Sequence, residues 1–375
     1  MNYDDFLDLR PYNDEEVAKA LQRMSKSKLL PAISAYLYPD QLVGNLSQKL
    51  KSIRGTFEFQ STIMRDVISR LIMATTTGFT YSGIDYLSPN KSYLFVSNHR
   101  DIVLDSSLLQ YVLICNNLNT TQIAAGGNLM FNEFATDLAK CNKLFFIPRG
   151  GQQRDFYQQL SHISDYIRFV VTQLHESVWI AQRNGRTKDG MDLTAVAILK
   201  MFALGGGNDL VQSISELNIV PVSISYEWEP CDMMKAKELS MSQNGVYEKS
   251  VNEDWNSVLT GFVSNKGRVH LSINKPVSVE DIVSFPKPHN AFFSSLANLI
   301  DSRIVEGYQL SPNNYIAYDL INDSSLHSQF YTAEQKEEFL QRYHSLSTEK
   351  GVWVSQLQDL FLSIYANPIV NKNKH

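Results

Sequence analysis

From residue 79 onward the sequence alternates short apolar segments with longer amphipathic ones, and this alternation constrains the fold more than any other feature. SYLFVSN (residues 92–98), KLFFIP (143–148), SVWIAQ (177–182) and NIVPVSISYEW (218–228) are typical of strands, and amphipathic helical segments separate them. Strands alternating with helices indicate a sheet that helices cover on both faces. We therefore predict an α/β fold with a mixed, mostly parallel sheet.

The segments on either side of this unit predict helices. NDEEVAKALQRM begins with a capping residue, Asn13, and has acids early and bases late, as the helix dipole favours. TAEQKEEFLQRYHSL and VWVSQLQDLFLSIYAN near the other end have helical spacing. We predict an N-terminal helical region at 1–78, an α/β domain at 79–285 and a C-terminal helical region at 286–375.

Composition excludes several classes of protein. A formal net charge of −5 argues against a general nucleic-acid binder, which needs a basic face. Cys115, Cys141 and Cys231 form no CxxC pair, so we expect a reducing compartment and no zinc site. The first residues lack a signal-peptide layout, and no apolar run reaches the ~18 residues of a spanning helix. We expect a cytoplasmic protein that touches a membrane surface without crossing it.

A histidine with two nearby aspartates follows one predicted strand, in the segment FVSNHRDIVLDSSLL. His99 lies where the strand ends, Asp101 follows it closely, and Asp105 begins the predicted helix. An imidazole accepts a proton near neutral pH, and a carboxylate on its second nitrogen orients the ring. His99 therefore suits a general base, with Asp105 or Asp101 as its partner. The alternative is that His99 bonds a loop and the aspartates cap the helix.

Basic residues follow two other predicted strands. Arg149 comes after KLFFIP and precedes two glycines, and the loop RNGRTKDG places Arg183, Arg186 and Lys188 around Gly185. Guanidinium groups beside exposed backbone N–H groups suit a phosphate. The alternative is an ordinary polar surface loop.

Four of these segments, in this order, resemble the sequence blocks of the glycerolipid acyltransferase family, which includes glycerol-3-phosphate and 1-acylglycerol-3-phosphate acyltransferases. NHRDIVLD resembles the N-H-x4-D block, FFIPRG the arginine block, QRNGRTKDG the PEGTRS-like block and IVPVSIS the block with a VP pair. The resemblance spans residues 80–228. Two departures stand out: five residues separate His99 from Asp105 where the family has four, and Asn184 replaces a glutamate.

The resemblance implies acyl transfer from acyl-CoA or acyl-carrier protein to a hydroxyl of glycerol 3-phosphate or its 1-acyl derivative, in phospholipid biosynthesis. It implies no cofactor and no metal, and it implies contact with the inner face of the membrane. His99 would be the base, oriented by Asp105, with Asp101 as the alternative. The residues expected to bind substrate are Asn98, Arg149, Arg183, Asn184, Gly185, Arg186 and Lys188.

Two other functions compete with this one. A non-catalytic protein that binds anionic lipid would tolerate the altered spacing and Asn184. A lipid esterase is disfavoured because the sequence lacks a G-x-S-x-G nucleophile elbow.

Overall fold

A seven-stranded sheet forms the centre of the protein. The computed structural model describes residues 2–39, 44–127, 132–147, 153–245, 247–250, 252–348 and 354–374. The strands, in the spatial order β1-β7-β6-β2-β5-β3-β4, are β1 (Gly78–Ser82), β2 (Leu94–Ser97), β3 (Gln122–Gly126), β4 (Leu144–Ile147), β5 (Val178–Ala181), β6 (Ile219–Tyr226) and β7 (Arg268–Ile273).

Five of the strands run in the same direction. β6, β2, β5, β3 and β4 are parallel neighbours, whereas β7 is antiparallel to β6 and parallel to β1. The carboxyl ends of the five parallel strands therefore meet at one edge of the sheet, where sites gather in α/β proteins.

The described helices account for most of the remaining chain. They are α1 (Asp14–Met24), α2 (Leu30–Leu37), α3 (Gly44–Ser52), α4 (Thr56–Phe59), α5 (Arg65–Thr75), α6 (Leu104–Cys115), α7 (Glu133–Cys141), α8 (Gln153–Thr172), α9 (Val196–Leu204), α10 (Leu210–Ser215), α11 (Asp232–Gln243), α12 (Glu253–Val263), α13 (Val279–Ile282), α14 (His289–Gly307), α15 (Pro312–Ile321), α16 (Ala333–Ser345) and α17 (Val354–Lys374). A π-helical turn, Gln60–Met64, joins α4 to α5. Shorter 3-10 turns lie at Tyr3–Phe6, Ile84–Tyr86, Ser328–Phe330 and Leu346–Thr348.

Helices cover both faces of the sheet, which confirms the predicted fold class. Leu94 and Val96 of β2 belong to a buried cluster with residues of α8, α9 and α14. Phe95, between them, belongs to a second cluster with residues of α5 and α6. Because successive side chains of a strand point to opposite faces, β2 contributes to both clusters. The face covered by α5 and α6 is called the α6 face below.

The helical regions before and after the sheet pack onto it rather than standing apart. Arg23 of α1 donates to Asp137 of α7 at 2.5 Å, and residues of α1, α3 and α7 share a buried cluster. Among the C-terminal helices, Leu357 and Phe361 of α17 are fully buried. α17 therefore presents these apolar residues to the protein, not to a membrane. Within the described residues, no helix is both long and apolar enough to span a bilayer.

The first helical region meets the sheet at residues 75–78: α5 ends at Thr75, and Gly78 is the first residue of β1. α6 begins at Leu104, one residue earlier than the predicted start, so Asp105 lies within its first turn.

Candidate active site

His99 and Asp105 form a hydrogen-bonded pair just beyond the carboxyl end of β2. The His99 Nδ1 and Asp105 Oδ2 atoms are 2.9 Å apart. An ionised carboxylate only accepts, so Nδ1 carries the proton and Nε2 carries the free lone pair. Among the residues that the structure describes, Nε2 has no hydrogen-bond partner, and the His99 side chain keeps 14% exposure. The ring meets Trp179 edge-on, with 5.8 Å between ring centroids, so this imidazole can accept a proton from a bound molecule.

The Asp105 carboxylate is held by four donors and is fully buried. Oδ2 accepts from His99 and from the backbone N–H groups of Arg100 and Asp101, at 2.6 and 2.9 Å. Oδ1 accepts from the hydroxyl of Tyr226 at 2.8 Å. With this many donors, the carboxylate has one defined orientation toward the histidine. The five-residue separation along the chain is thus compatible with contact, because the first turn of α6 brings Asp105 back to the strand end.

Asp101, the other candidate partner of His99, instead caps the N-terminus of α6. Its Oδ1 accepts from the backbone N–H groups of Val103 and Leu104, at 2.9 and 2.8 Å. These are donors at the start of α6 that have no partner within the helix. Its Oδ2 is buried and has no hydrogen-bond partner among the described residues. Burial, and secondarily the negative charge of Asp105, raise the pKa of Asp101.

The raised pKa of Asp101 makes protein stability depend on pH. The native state holds this proton more tightly than the unfolded chain, where an aspartate titrates near ~3.9. Below that pH Asp101 is protonated in both the folded and the unfolded state, so it does not affect the free energy of unfolding. As pH rises from there through the native pKa of Asp101, its ionisation destabilises the folded protein. We expect Asp101→Asn, which keeps the Oδ1 acceptor, to gain stability relative to the wild type between about pH 4 and pH 7, measured by urea unfolding.

Asp281 provides a control of opposite sign. Burial opposes its ionisation, but hydrogen bonds from Ser278 and from the Arg303 guanidinium outweigh burial and lower its pKa. Asp281→Asn should therefore lose stability relative to the wild type as pH rises up to about pH 4, and the difference should stay constant above that pH. If the stabilities of Asp101→Asn and Asp281→Asn depended on pH in the same way, the opposite pKa shifts of the two carboxyl groups would be contradicted.

Asn98 was expected to bind substrate, but its side chain is committed to the protein. It is fully buried. Its Nδ2 donates to Asp192 Oδ2 at 3.1 Å and to the Ile224 carbonyl at 3.0 Å, and its Oδ1 accepts from the Ile224 N–H at 2.8 Å. Both N–H donors of this amide are therefore used within the protein. Asn98 instead ties the end of β2 to β6.

Arg100 lies at the centre of a buried charge network that the sequence analysis did not identify. Its guanidinium donates to Asp192 Oδ2 at 2.5 Å and to Glu229 Oε2 at 3.2 Å, and Lys235 Nζ donates to Glu229 Oε1 at 2.5 Å. All four side chains are at most 3% exposed. Two cations balance two carboxylates, as buried charges require. Since Asn98 also bonds Asp192 Oδ2, the two residues flanking His99 are anchored on one carboxylate.

The loop after β5 passes beside His99. Ser97 is aligned with Ala181 in the parallel β2–β5 pair, and the Gln182 N–H donates to the Ser97 carbonyl at 2.7 Å, so the two strands end at the same level. The Thr187 N–H donates to the His99 carbonyl at 2.7 Å. Gly185 has φ +77°, which glycine adopts without strain. The structure therefore brings the predicted loop and the predicted base together.

The four polar side chains predicted in this loop have different surroundings. Arg183 is half-buried, with no hydrogen-bond or ion-pair partner among the described residues, and Asn184 is exposed. Arg186 Nη2 donates to Ser257 Oγ at 3.2 Å, while its buried Nη1 has no partner in the described part of the chain. Lys188 pairs with Glu238. Lys188 is thus already neutralised, and Arg183 is the cation best placed to meet a ligand.

Arg149 lies outside the described residues. The strand before it, β4, ends at Ile147 and is three positions from β2 in the sheet, which corresponds to about 14 Å. Its role therefore stays a prediction from the sequence.

A family model described as acyltransferase matches residues 78–225, from the start of β1 to within β6. No curated protein matches the chain significantly. Among solved structures, the chain is similar to the 1-acyl-sn-glycerophosphate acyltransferase PlsC from Thermotoga maritima, with 10% identity and a TM-score of 0.38 over 77% of this chain and 95% of that one.

Proposed function

We propose that the protein transfers a fatty acyl group to a hydroxyl of glycerol 3-phosphate or 1-acylglycerol 3-phosphate. The match of residues 78–225 to a family model described as acyltransferase supports this proposal. The donor is a thioester, acyl-CoA or acyl-carrier protein, and the reaction takes place at a membrane surface. The His99–Asp105 pair at the carboxyl end of β2 is the observation on which this proposal rests.

In the proposed reaction His99 acts as general base. Nε2 takes the proton of the acceptor hydroxyl while the hydroxyl oxygen attacks the thioester carbonyl. The new C–O bond forms, the C–S bond breaks, and the imidazolium returns the proton to the departing thiolate. Asp105, bonded to Nδ1, stabilises the imidazolium in between.

Position distinguishes this pair from two other histidine–aspartate pairs in the protein. His327 Nδ1 lies 3.1 Å from Asp319, and His162 Nε2 lies 3.1 Å from Asp8. Those pairs involve helices and turns away from the sheet edge. At His99, by contrast, the carboxyl ends of three adjacent parallel strands, β5, β2 and β6, converge.

Arg183 is the proposed ligand of the acceptor phosphate among the described residues, together with Arg149 from the sequence resemblance. A guanidinium without a protein partner can bind two phosphate oxygens at once. Asn184 and Gly185 are proposed to lie against the same phosphate, where the backbone of Gly185 leaves room. Arg186 contributes its unpartnered Nη1.

The proposed function is tested with purified protein, labelled acyl-CoA or acyl-carrier protein, and each of the two acceptors. We expect transfer to one acceptor and, for Arg183→Ala, an acceptor KM raised by about tenfold or more, since a charge-assisted hydrogen bond to phosphate is lost. The donor KM should stay unchanged.

Lys188→Ala is the matched control for Arg183→Ala. It removes a cation from the same loop, but one that is paired with Glu238, so the acceptor KM should stay close to that of the wild type. Equal KM changes in both variants would contradict the phosphate assignment. Lipid binding without turnover would favour the non-catalytic alternative, and hydrolysis without transfer would favour an esterase.

A further inference from the structure

Tyr226 connects the VP-containing strand to the His99–Asp105 pair. It is the last residue of β6, and its side chain is 2% exposed. Val220, Val222, Ile224 and Tyr226 alternate along β6 and pack in the buried cluster of the α6 face. Of these four side chains, only that of Tyr226 ends in a hydroxyl, and it donates to Asp105 Oδ1 at 2.8 Å.

The direction of this hydrogen bond is set by the charges around the phenol. Burial raises the pKa of Tyr226 well above its usual value, and the nearby carboxylates of Asp105, Asp101 and Glu229 raise it further. The phenol thus stays protonated at any pH at which the protein works. It donates, and the carboxylate accepts.

The two oxygens of the Asp105 carboxylate accept different numbers of hydrogen bonds. Oδ2 receives three donors, from His99 and two backbone N–H groups, whereas Oδ1 receives one, from Tyr226. The terminal torsion of an aspartate is soft and roughly two-fold. A carboxylate whose second oxygen lacks a partner can therefore turn, which would misalign Oδ2 with the histidine.

We propose that Tyr226 is a positioning residue for acyl transfer, whose hydroxyl holds the Asp105 carboxylate in the orientation that presents Oδ2 to His99 Nδ1. This inference rests on the proposed function, in which His99 is the base. Tyr226 touches neither substrate nor the reacting nitrogen and acts through Asp105.

When the hydroxyl is removed, the carboxylate can turn, and the hydrogen bond from His99 Nδ1 to Asp105 Oδ2 weakens. The imidazole is then no longer held in the tautomer and orientation that acyl transfer needs. The loss should appear in kcat and in the NMR signal of the Nδ1 proton.

The test compares Tyr226→Phe with Tyr166→Phe. Tyr166 is also fully buried, and its hydroxyl donates to Gln122 Oε1 at 2.6 Å in the cluster of the opposite face. Both variants lose one buried hydroxyl hydrogen bond, so their losses of stability should be similar in urea unfolding. The readouts are the NMR signal of the Nδ1 proton in ring-labelled histidine, assigned with His99→Ala, and the separate values of kcat and acceptor KM.

We expect the NMR signal of the His99 Nδ1 proton to move upfield in Tyr226→Phe, as a weaker hydrogen bond to Asp105 requires, and to stay unchanged in Tyr166→Phe. Turnover should fall by about tenfold with the acceptor KM retained. An unchanged Nδ1 signal in Tyr226→Phe, or an equal shift in Tyr166→Phe, overturns the inference. Because the NMR measurement needs no substrate, a wild type that transfers no acyl group would overturn the proposed function alone.

Discussion

His99→Ala should reduce acyl transfer by about 10²–10⁴-fold, which is the contribution of a positioned general base. The loss should appear in kcat rather than in either KM, since the imidazole acts on the hydroxyl proton as the bond forms. Folding should be retained, because the ring is partly exposed and makes a single side-chain hydrogen bond. The measurement is a steady-state transfer assay with circular dichroism on the same preparation.

His327→Ala is the matched control for His99→Ala. His327 also bonds an aspartate through Nδ1, at 3.1 Å, and its side-chain exposure is 18%, close to the 14% of His99. It differs in position, because it lies at a 3-10 turn between α15 and α16. Turnover of His327→Ala should stay near that of the wild type. Near wild-type turnover in His99→Ala would remove the proposed mechanism.

Arg100→Ala should have the largest effect on stability. It removes one cation from a buried set of four charges and leaves Asp192 and Glu229 with less compensation. Breaking a buried ion pair in this way costs about 3–5 kcal/mol of unfolding free energy, a large part of the ~5–15 kcal/mol by which domains are stable. A urea titration followed by circular dichroism should show a much lower midpoint.

Arg268→Ala controls for the removal of an arginine from an ion pair. Arg268 lies 3.4 Å from Glu227, and its side chain is 61% exposed, so its loss should cost at most about 1 kcal/mol. Should Arg100→Ala lose no more stability than Arg268→Ala, the network around Arg100 contributes little. Asp192→Asn offers a second test, because it weakens the anchors of both Asn98 and Arg100.

Much of the candidate site could be predicted from local sequence. His99 and Arg183 each follow a short apolar segment, and parallel strands bring their carboxyl ends to one edge. Strand periodicity therefore placed both residues at one edge of the sheet, whereas the adjacency of β2 and β5, which are not consecutive in the chain, is set by the tertiary structure. The ambiguity between Asp101 and Asp105 remained because it depends on where α6 begins, and helix ends are the least certain feature of a pattern.

Amino-acid order by itself determined the α/β class and the residue types at the strand ends, because both follow from periodicities that operate over a few residues. The tertiary structure alone decided which hydrogen-bond and ion-pair partners the residues at the strand ends have. Arg100 meets Asp192 and Glu229 across 92 and 129 residues, and Tyr226 meets Asp105 across 121. Such contacts arise when distant strands and helices pack together, and no local pattern encodes them. The same packing gave Asn98 and Lys188 partners within the protein, Asp192 and Glu238.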